Sequence, residues 1–211
     1  MLRVNALATF SLRWLLPRLP RFREQHPEIE LRLSTSTDPV DALSEPYDVI
    51  IRGGPDTFYG FTCHLFLTER RTPVCSKALL ERSPLDQVMD LRSHTLLHAS
   101  TLPRLWSDWL GAAGAPTLEP QASLTLDHFY LTLQAAADGL GVAMGSTALV
   151  ADDLAAGRLV APFSHVSIPS RGYHAYLPAA QATDLSAIAF CQWLQEVGTT
   201  EASAGPLGLD R

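Results

Sequence analysis

The chain has 211 residues, of which 46% are hydrophobic and 18% are charged, and its net charge at neutral pH is −6. This is the composition of a folded globular chain. A domain that binds nucleic acid by itself would carry a basic surface, but the chain has no long run of Lys or Arg, and Lys77 is its only lysine. No stretch approaches the about 20 apolar residues of a membrane helix, and the start MLRVNALATF lacks a signal-peptide pattern, so we expect a cytoplasmic protein with no membrane partner.

The metal-binding and nucleophilic residue types do not form a recognisable catalytic motif. Cys63, Cys75 and Cys191 are odd in number and widely spaced, which indicates buried thiols in a reducing compartment. The seven histidines contain no paired metal spacing, and the chain has no G-x-S-x-G elbow. We therefore predict no catalytic residues, no metal and no cofactor, and a protein that is not an enzyme.

The first elements of the chain predict a ligand-binding turn. Residues 2–7 form an apolar strand, and the polar turn at Thr9, Phe10 and Ser11 leads into an amphipathic helical segment. A strand that runs straight into a helix directs unpaired backbone N–H groups at one point, which favours an anion or a polar ligand. Because Pro17 and Pro20 interrupt a helical hydrogen-bond pattern, propensity predicts a split helix or a start near Pro17. Its apolar face predicts core packing or, alternatively, a partner surface.

The next strands extend this pattern. Residues 28–34 alternate as a half-buried strand, residues 38–43 read as a short helix, and residues 47–51 form an apolar strand that ends at Arg52 and Gly53. Alternating strands and helices predict a parallel sheet, in which ligands bind beyond the carboxyl ends of the strands. Arg52 there could hold a carboxylate with two hydrogen bonds; the alternative is a surface arginine paired with Asp48 or Asp56.

The second half repeats the alternation of strands and helices, and the chemical character of the residues changes near residues 67–73. Strands are predicted at 61–67, 71–75, 91–98, 122–126, 142–144, 159–160 and 173–177, and helices at 77–82, 103–111, 130–137, 146–156 and 185–197. Asp127 stands at a helix N-cap position, beside His128. The pairs Ser100-Thr101 and Ser146-Thr147 follow strands as helix caps or ligand contacts. In GLGVAMG the glycines follow a helix and enter a strand, which indicates a helix end instead of a nucleotide loop. Two α/β units imply a cleft between them.

Several segments together resemble the effector-binding domain of LysR-type transcriptional regulators. They are ATFSLRWLLPRLPRFREQHPEIELRLSTS, YDVIIRGG, CSKALL, AAADGLGVAMG and YHAYLPA. The IRGG turn and the LLPRLPRF helix are most similar to the glycine-cleavage activator and β-lactamase activator subgroup. The resemblance covers about residues 2–198, and because the family carries LLPRLPRF within its first helix, it implies that the prolines do not break this helix.

The resemblance implies an α/β, periplasmic-binding-protein-like fold of two Rossmann-like subdomains with a small effector in the cleft between them. Subdomain I would span residues 1–69, completed by 178–198; subdomain II would span 70–177; and 199–211 would be a disordered tail. The implied effector contacts are Thr9, Phe10, Ser11, Arg52, Gly53, Ser100, Thr101, Asp127, His128 and Tyr173. The subgroup often carries an Asp-Ser-Ser turn where this chain has Asp127-His128-Phe129, so its usual ligands do not carry over directly.

The resemblance also implies partners. The effector would be an amino acid, a carboxylate or a small peptide, and the domain would form a homodimer or tetramer through a surface that includes Trp14 and Leu15. DNA would be bound only through an N-terminal helix-turn-helix that this chain does not contain, as expected for a regulatory fragment. The alternatives are a stand-alone or transport-type solute-binding protein, which would need an export signal, and a small α/β enzyme, which would need a catalytic constellation.

Overall fold

A computed structural model describes residues 1–204, with side chains to residue 200. The chain divides into two compact units, residues 1–68 with 171–204, and residues 69–170. Each unit is built on a five-stranded sheet with helices packed on it. The predicted α/β fold of two subdomains is confirmed.

The strands are β1 (Leu2–Ala6), β2 (Leu31–Thr35), β3 (Val49–Gly53), β4 (Phe61–Leu67), β5 (Arg70–Val74), β6 (Thr95–Ala99), β7 (Ala122–Leu126), β8 (Val142–Ser146), β9 (Ile168–Pro169) and β10 (Tyr173–Pro178). The helices are α1 (Ala8–Phe10), a π-helical segment (Ser11–Leu15), α2 (Leu16–Gln25), α3 (Lys77–Arg82), α4 (Leu105–Ala112), α5 (Phe129–Ala137), α6 (Ala151–Ala155) and α7 (Leu185–Ala204). Short 3₁₀ turns lie at Val40–Ala42, Val88–Ser93 and Ala179–Gln181.

The first sheet has the strand order β2-β1-β3-β10-β4. Strands β1, β2 and β3 run parallel, as the alternation of strands and helices predicted, and β10 runs antiparallel to both β3 and β4. The carboxyl ends of β1, β2 and β3 therefore lie at one edge of this sheet.

The predicted subdomain boundaries need correction. The strand at 173–177 was assigned to subdomain II, but β10 pairs with β3 and β4, so it belongs to the first unit and the second crossing lies between residues 170 and 171. Glu69 belongs to the second unit. Helix α7 continues to Ala204, past the predicted start of a tail at residue 199, and residues 205–211 lie outside the described part of the chain.

The first helical run is continuous from α1 through α2, so the split near Pro17 that propensity predicted is wrong, and the continuity implied by the resemblance is correct. Pro17 lies directly after the π-helical segment, and both Pro17 and Pro20 are exposed. The π-helical segment before them shifts the hydrogen-bond pattern by one residue, so that Leu16 N–H donates to Ser11 O. The Arg18 guanidinium also donates to Trp14 O at 3.0 Å.

The core of the first unit is aromatic. Phe10 stacks on Trp14 with ring centroids 5.2 Å apart and lies 4.7 Å from Tyr173, while Phe66 contacts both Phe10 and Trp14. Trp14 and Leu15 are fully buried in this core, so their predicted place on a dimer surface is wrong for the isolated chain. Helical geometry instead leaves Leu12 and Leu16 of the same run about half exposed.

The second sheet has the order β7-β6-β8-β5-β9, with β6 parallel to both β7 and β8 and β5 antiparallel to β8 and β9. Its core is built on Trp106 and Trp109, whose indole N–H groups donate to Leu97 O at 2.9 Å and Val166 O at 3.1 Å. The carboxyl ends of β6, β7 and β8 meet at one edge. Within residues 1–204 no helix is both long and apolar enough to cross a membrane.

The packing of α7 on β4 requires a glycine. A Cβ added at Gly198 would overlap the carbonyl oxygen of Phe66, a backbone atom that cannot turn aside. We expect Gly198→Ala to lower the free energy of unfolding by about 1–3 kcal/mol, as overpacking does. Gly111→Ala in α4 is the matched control, because no atom lies within 4 Å of its added Cβ. Alanine there should stabilise by up to about 1 kcal/mol, and equal effects in both variants on urea unfolding would contradict this packing.

The three thiols differ in their exposure. Cys75 and Cys191 are buried, as predicted, and burial raises the pKa of each to about 12, but Cys63 is exposed on β4, so the prediction of buried thiols is wrong there. Because the thiolate is the reactive form, we expect iodoacetamide to modify Cys63 in the folded protein and the other two only after unfolding. Mass spectrometry of the labelled peptides measures this. Rapid labelling of native Cys75 would contradict the core described above.

Candidate functional site

The carboxyl edge of the first sheet gathers a buried polar network around Arg52. The Arg52 side chain leaves the end of β3 and is only 7% exposed. Its Nη2 donates to Asn5 Oδ1 at 2.6 Å and to Ser36 Oγ at 3.1 Å, and Ser36 Oγ donates to Asn5 Oδ1 at 3.2 Å. Asn5 belongs to β1 and Ser36 follows β2, so three adjacent parallel strands converge on one guanidinium.

The remaining contacts of Arg52 are also to neutral oxygens. Nε donates to Asp38 O at 3.0 Å and Nη1 donates to Ile51 O at 2.9 Å. Burial lowers the pKa of the guanidinium, and the charge of Asp38 offsets part of this shift. Within residues 1–204 the Arg52 guanidinium forms no ion pair with a carboxylate. Because none of its hydrogen-bond acceptors carries a charge, the guanidinium would attract an anion placed at this edge.

The alternative interpretation of Arg52, a surface arginine paired with Asp48 or Asp56, is wrong. Asp48 accepts hydrogen bonds from the backbone N–H and the side chain of Arg3, and Asp56 pairs with Arg171 at 2.5 Å. Both carboxylates are thus occupied by other arginines, and Arg52 is buried.

The predicted turn at residues 9–11 begins a helical run of 18 residues, Ala8 to Gln25. Leu7 at the N-cap supplies no side-chain hydrogen bond, so the first N–H groups are available to a ligand. Thr9 is half-buried, and Ser11 Oγ is buried without a hydrogen-bond partner among the described residues. Phe10 points into the aromatic core, so its side chain supports the turn from inside.

Gly53 and Tyr173 face each other in the pairing of β3 with β10. A Cβ added at Gly53 would lie 3.7 Å from Gly172 O, an ordinary contact, so the position itself does not require glycine. Tyr173 is buried against Phe10. In the first unit the predicted positions thus divide into edge groups (Thr9, Ser11, Arg52, Gly53) and core aromatic residues (Phe10, Tyr173).

The predicted contacts of the second unit lie in two loops at its carboxyl edge, after β6 and β7. Ser100 Oγ donates to Asp127 O at 3.2 Å, which joins the loops, and Ser100, Thr101, Asp127 and His128 are all exposed. The predicted N-cap at Asp127 is wrong, because α5 begins after His128, which gives no side-chain cap. The His128 ring instead stacks on Tyr130 at 5.3 Å.

The pair Ser146-Thr147 forms neither of the predicted contacts. Ser146 is fully buried and its Oγ donates to Glu69 Oε2, while Thr147 Oγ1 accepts from Arg70 N–H at 3.0 Å. Glu69 belongs to a network with Arg71 that sequence reasoning missed, as it missed Asn5. The available signals were an asparagine in the apolar strand LRVNA and the charged run ERR that opens β5.

The burial of three histidines predicts how the stability of the fold depends on pH. Burial lowers the pKa of His94, His98 and His174, and the charge of Arg171 lowers that of His174 further. As pH falls through the usual value of about 6.5, the unfolded chain therefore takes up more protons than the folded one. We expect the free energy of unfolding to decrease below that pH.

Urea unfolding at about one pH unit above and below 6.5 tests this expectation, with His94→Gln and His174→Gln as comparison variants. Each variant should lose less stability on acidification than the parent chain. A parent chain of constant stability across this interval would show that the rings are not desolvated.

Two α/β units with polar groups at the carboxyl ends of their strands are the architecture of a small-molecule-binding domain. Residues 1–199 match the LysR substrate binding domain. The chain is 32% identical over 194 residues to the glycine cleavage system transcriptional activator of Escherichia coli K12, a match that covers 92% of this chain and 63% of that protein. The HTH-type transcriptional activator AmpR of Pseudomonas aeruginosa is 33% identical over 202 residues, with 95% and 67% covered.

The fold agrees with these relationships. The X-ray structure of the effector domain of AmpR from Pseudomonas aeruginosa matches with a TM-score of 0.81 at 33% identity, covering 96% of this chain and 97% of that one. This chain belongs to the LysR substrate-binding domain family, as the resemblance implied. It spans 63% of the length of the glycine cleavage activator. The relatives named here are transcriptional regulators.

Proposed function

We propose that this chain is the sensing domain of a transcription regulator and that it binds a small carboxylate at the carboxyl edge of its first sheet. The observation that carries the proposal is Arg52, a buried guanidinium whose partners within residues 1–204 are all neutral oxygens. An anion at this edge would supply the missing charge, and the open N–H groups near Thr9 would add donors to it.

Regulation would follow from differential affinity. An effector shifts the protein only as far as it prefers one arrangement of the chain or its assembly to another. DNA would be bound through a helix-turn-helix module, as the name HTH-type transcriptional activator indicates for AmpR. We further propose that the regulator is cytoplasmic and acts as a homodimer or tetramer, with the exposed Leu12 and Leu16 on the helical face offered to a partner.

Thermal unfolding in the presence of small carboxylic acids and of their neutral amides tests the proposal. An acid at 100 times its dissociation constant should stabilise the chain by about 2.7 kcal/mol, and the matching amide should not. Arg52→Gln should abolish this stabilisation, because glutamine carries no charge. Arg171→Gln is the matched control, since that arginine forms an exposed ion pair in the same unit.

The stability of each variant without ligand shows whether it is folded. Stabilisation by the acid that persists in folded Arg52→Gln would overturn the proposed site. Equal stabilisation by acid and amide would show that charge is not what the site recognises.

A further inference from the structure

Strand β4 forms one edge of the first sheet and is hydrogen-bonded to β10 on one side. Within residues 1–204 no second strand pairs with it. Its residues 62–65 are all exposed, and Leu65 is 50% exposed. An exposed edge strand presents unpaired N–H and C=O groups that can pair with another strand. Residues 61–65, which we call the β4 edge, therefore form a surface that is open to a partner.

The pairing with β10 shows which backbone groups of the β4 edge are unpaired. Ala179 N–H donates to Gly60 O at 2.8 Å, one residue beyond the last pair of the two strands. In an antiparallel pair, hydrogen-bonded residue pairs alternate with non-hydrogen-bonded ones, so the even-numbered residues of the β4 edge bond to β10. The N–H and C=O groups of Cys63 and Leu65 therefore point away from β10, toward the open side of the strand.

The β4 edge lacks the features that usually keep edge strands from pairing. Its sequence, FTCHL, contains no proline and no residue that is charged at neutral pH. The bulge in the pairing with β10 is at Phe66, beyond the β4 edge, so residues 61–65 keep a regular strand pattern. By contrast, the strand at the other edge of this sheet, β2, carries the exposed Arg32.

The β4 edge is complementary to a second copy of itself. Antiparallel pairing about a two-fold axis at Cys63 places this residue opposite its own copy and places Phe61 opposite Leu65. The two Cys63 residues can then exchange N–H···O bonds, and Leu65 N–H can donate to Phe61 O. Phe61 N–H keeps its bond to Phe58 O.

The side chains also suit this pairing. Phe61, Cys63 and Leu65 lie on one face of the strand, because side chains alternate between faces. Each half-buried Phe61 therefore meets an exposed Leu65 as an apolar cross-strand pair, and no like charges face each other. A foreign peptide would be held at this edge mainly through its backbone, since the edge offers no charged side chain to select its sequence.

We propose that the β4 edge is a homotypic interface, at which two copies of this chain pair antiparallel about Cys63 and join their first sheets into one continuous sheet. This surface differs from the helical face at Leu12 and Leu16. A chain that uses both surfaces can assemble beyond a dimer.

Amide hydrogen exchange, followed by NMR in the whole chain, tests the interface. We expect exchange at Cys63 and Leu65 to slow as the protein concentration is raised, because pairing bonds and covers their N–H groups. Exchange at Thr62 and His64 should not depend on concentration, since β10 already bonds these groups.

One substitution should remove the interaction without disturbing the core. Cys63→Lys places two like charges opposite each other at an exposed position and should abolish the slowing at Leu65. Leu12→Lys is the matched control, because it adds the same charge at another exposed position of the same unit, and it should leave the slowing unchanged. Slow exchange at Thr62 and His64 in each variant shows that the sheet is intact.

Disulfide formation with diamide as the oxidant tests the register. Residues of a hydrogen-bonded antiparallel pair have Cα atoms about 5.5 Å apart, which a disulfide can span. The buried Cys75 and Cys191 do not compete. We expect Cys63 to form linked dimers faster than a cysteine introduced by His64→Cys in the Cys63→Ser background, because residue 64 would face Thr62 of the copy.

Each outcome either supports or overturns the interface. Concentration-dependent slowing at both amides that Cys63→Lys removes supports it. Exchange at Cys63 and Leu65 that is independent of concentration overturns it, and association of the chain without slowing at these amides overturns it in favour of another surface, such as the helical face. Slowing that survives Cys63→Lys, or equal rates of linkage from positions 63 and 64, overturns the two-fold register.

Discussion

A guanidinium held among neutral oxygens is the constraint on which the first unit depends. Arg52 bonds to groups from β1, from the turn after β2 and from its own strand, so it ties three strand ends together. Because burial opposes its charge, such an arginine is retained only where the charge is useful or where its hydrogen bonds are hard to replace. Arg52 meets the second condition, because its hydrogen bonds join three strand ends.

The second unit stabilises its buried arginine in a different way. Arg71 is also buried at a carboxyl edge, but Glu69 lies beside it and two serines complete the carboxylate shell. Arg52 therefore has no carboxylate beside it within residues 1–204, whereas the charge of Arg71 is neutralised by Glu69. Two guanidinium groups of identical chemistry thus have different electrostatic surroundings, because only Arg71 has a carboxylate within hydrogen-bond distance.

The aromatic core supports the first predicted binding turn from inside. Phe10 lies inside the turn itself and packs on Trp14, Phe66 and Tyr173, so two residues that the resemblance assigned to the ligand also support the turn that carries Thr9 and Ser11. Sequence reasoning could not distinguish these roles, because an aromatic side chain beside a polar turn can face either direction. The same ambiguity led to Trp14 and Leu15 being assigned to a partner surface, although they face the core.

The sequence by itself determined the two α/β units, most of their strands and the place of Arg52 at the end of a strand, because hydrophobic periodicity and turn residues act locally. The tertiary structure alone decided that β10 returns to the first sheet, since the pairing of strands that are about 120 positions apart leaves no local signal. It also decided that Glu69 pairs with Arg71 and that Arg52 has no carboxylate partner within residues 1–204, because a charge partner is set by distance in space. That choice, and not the residue type, gives each edge its chemistry.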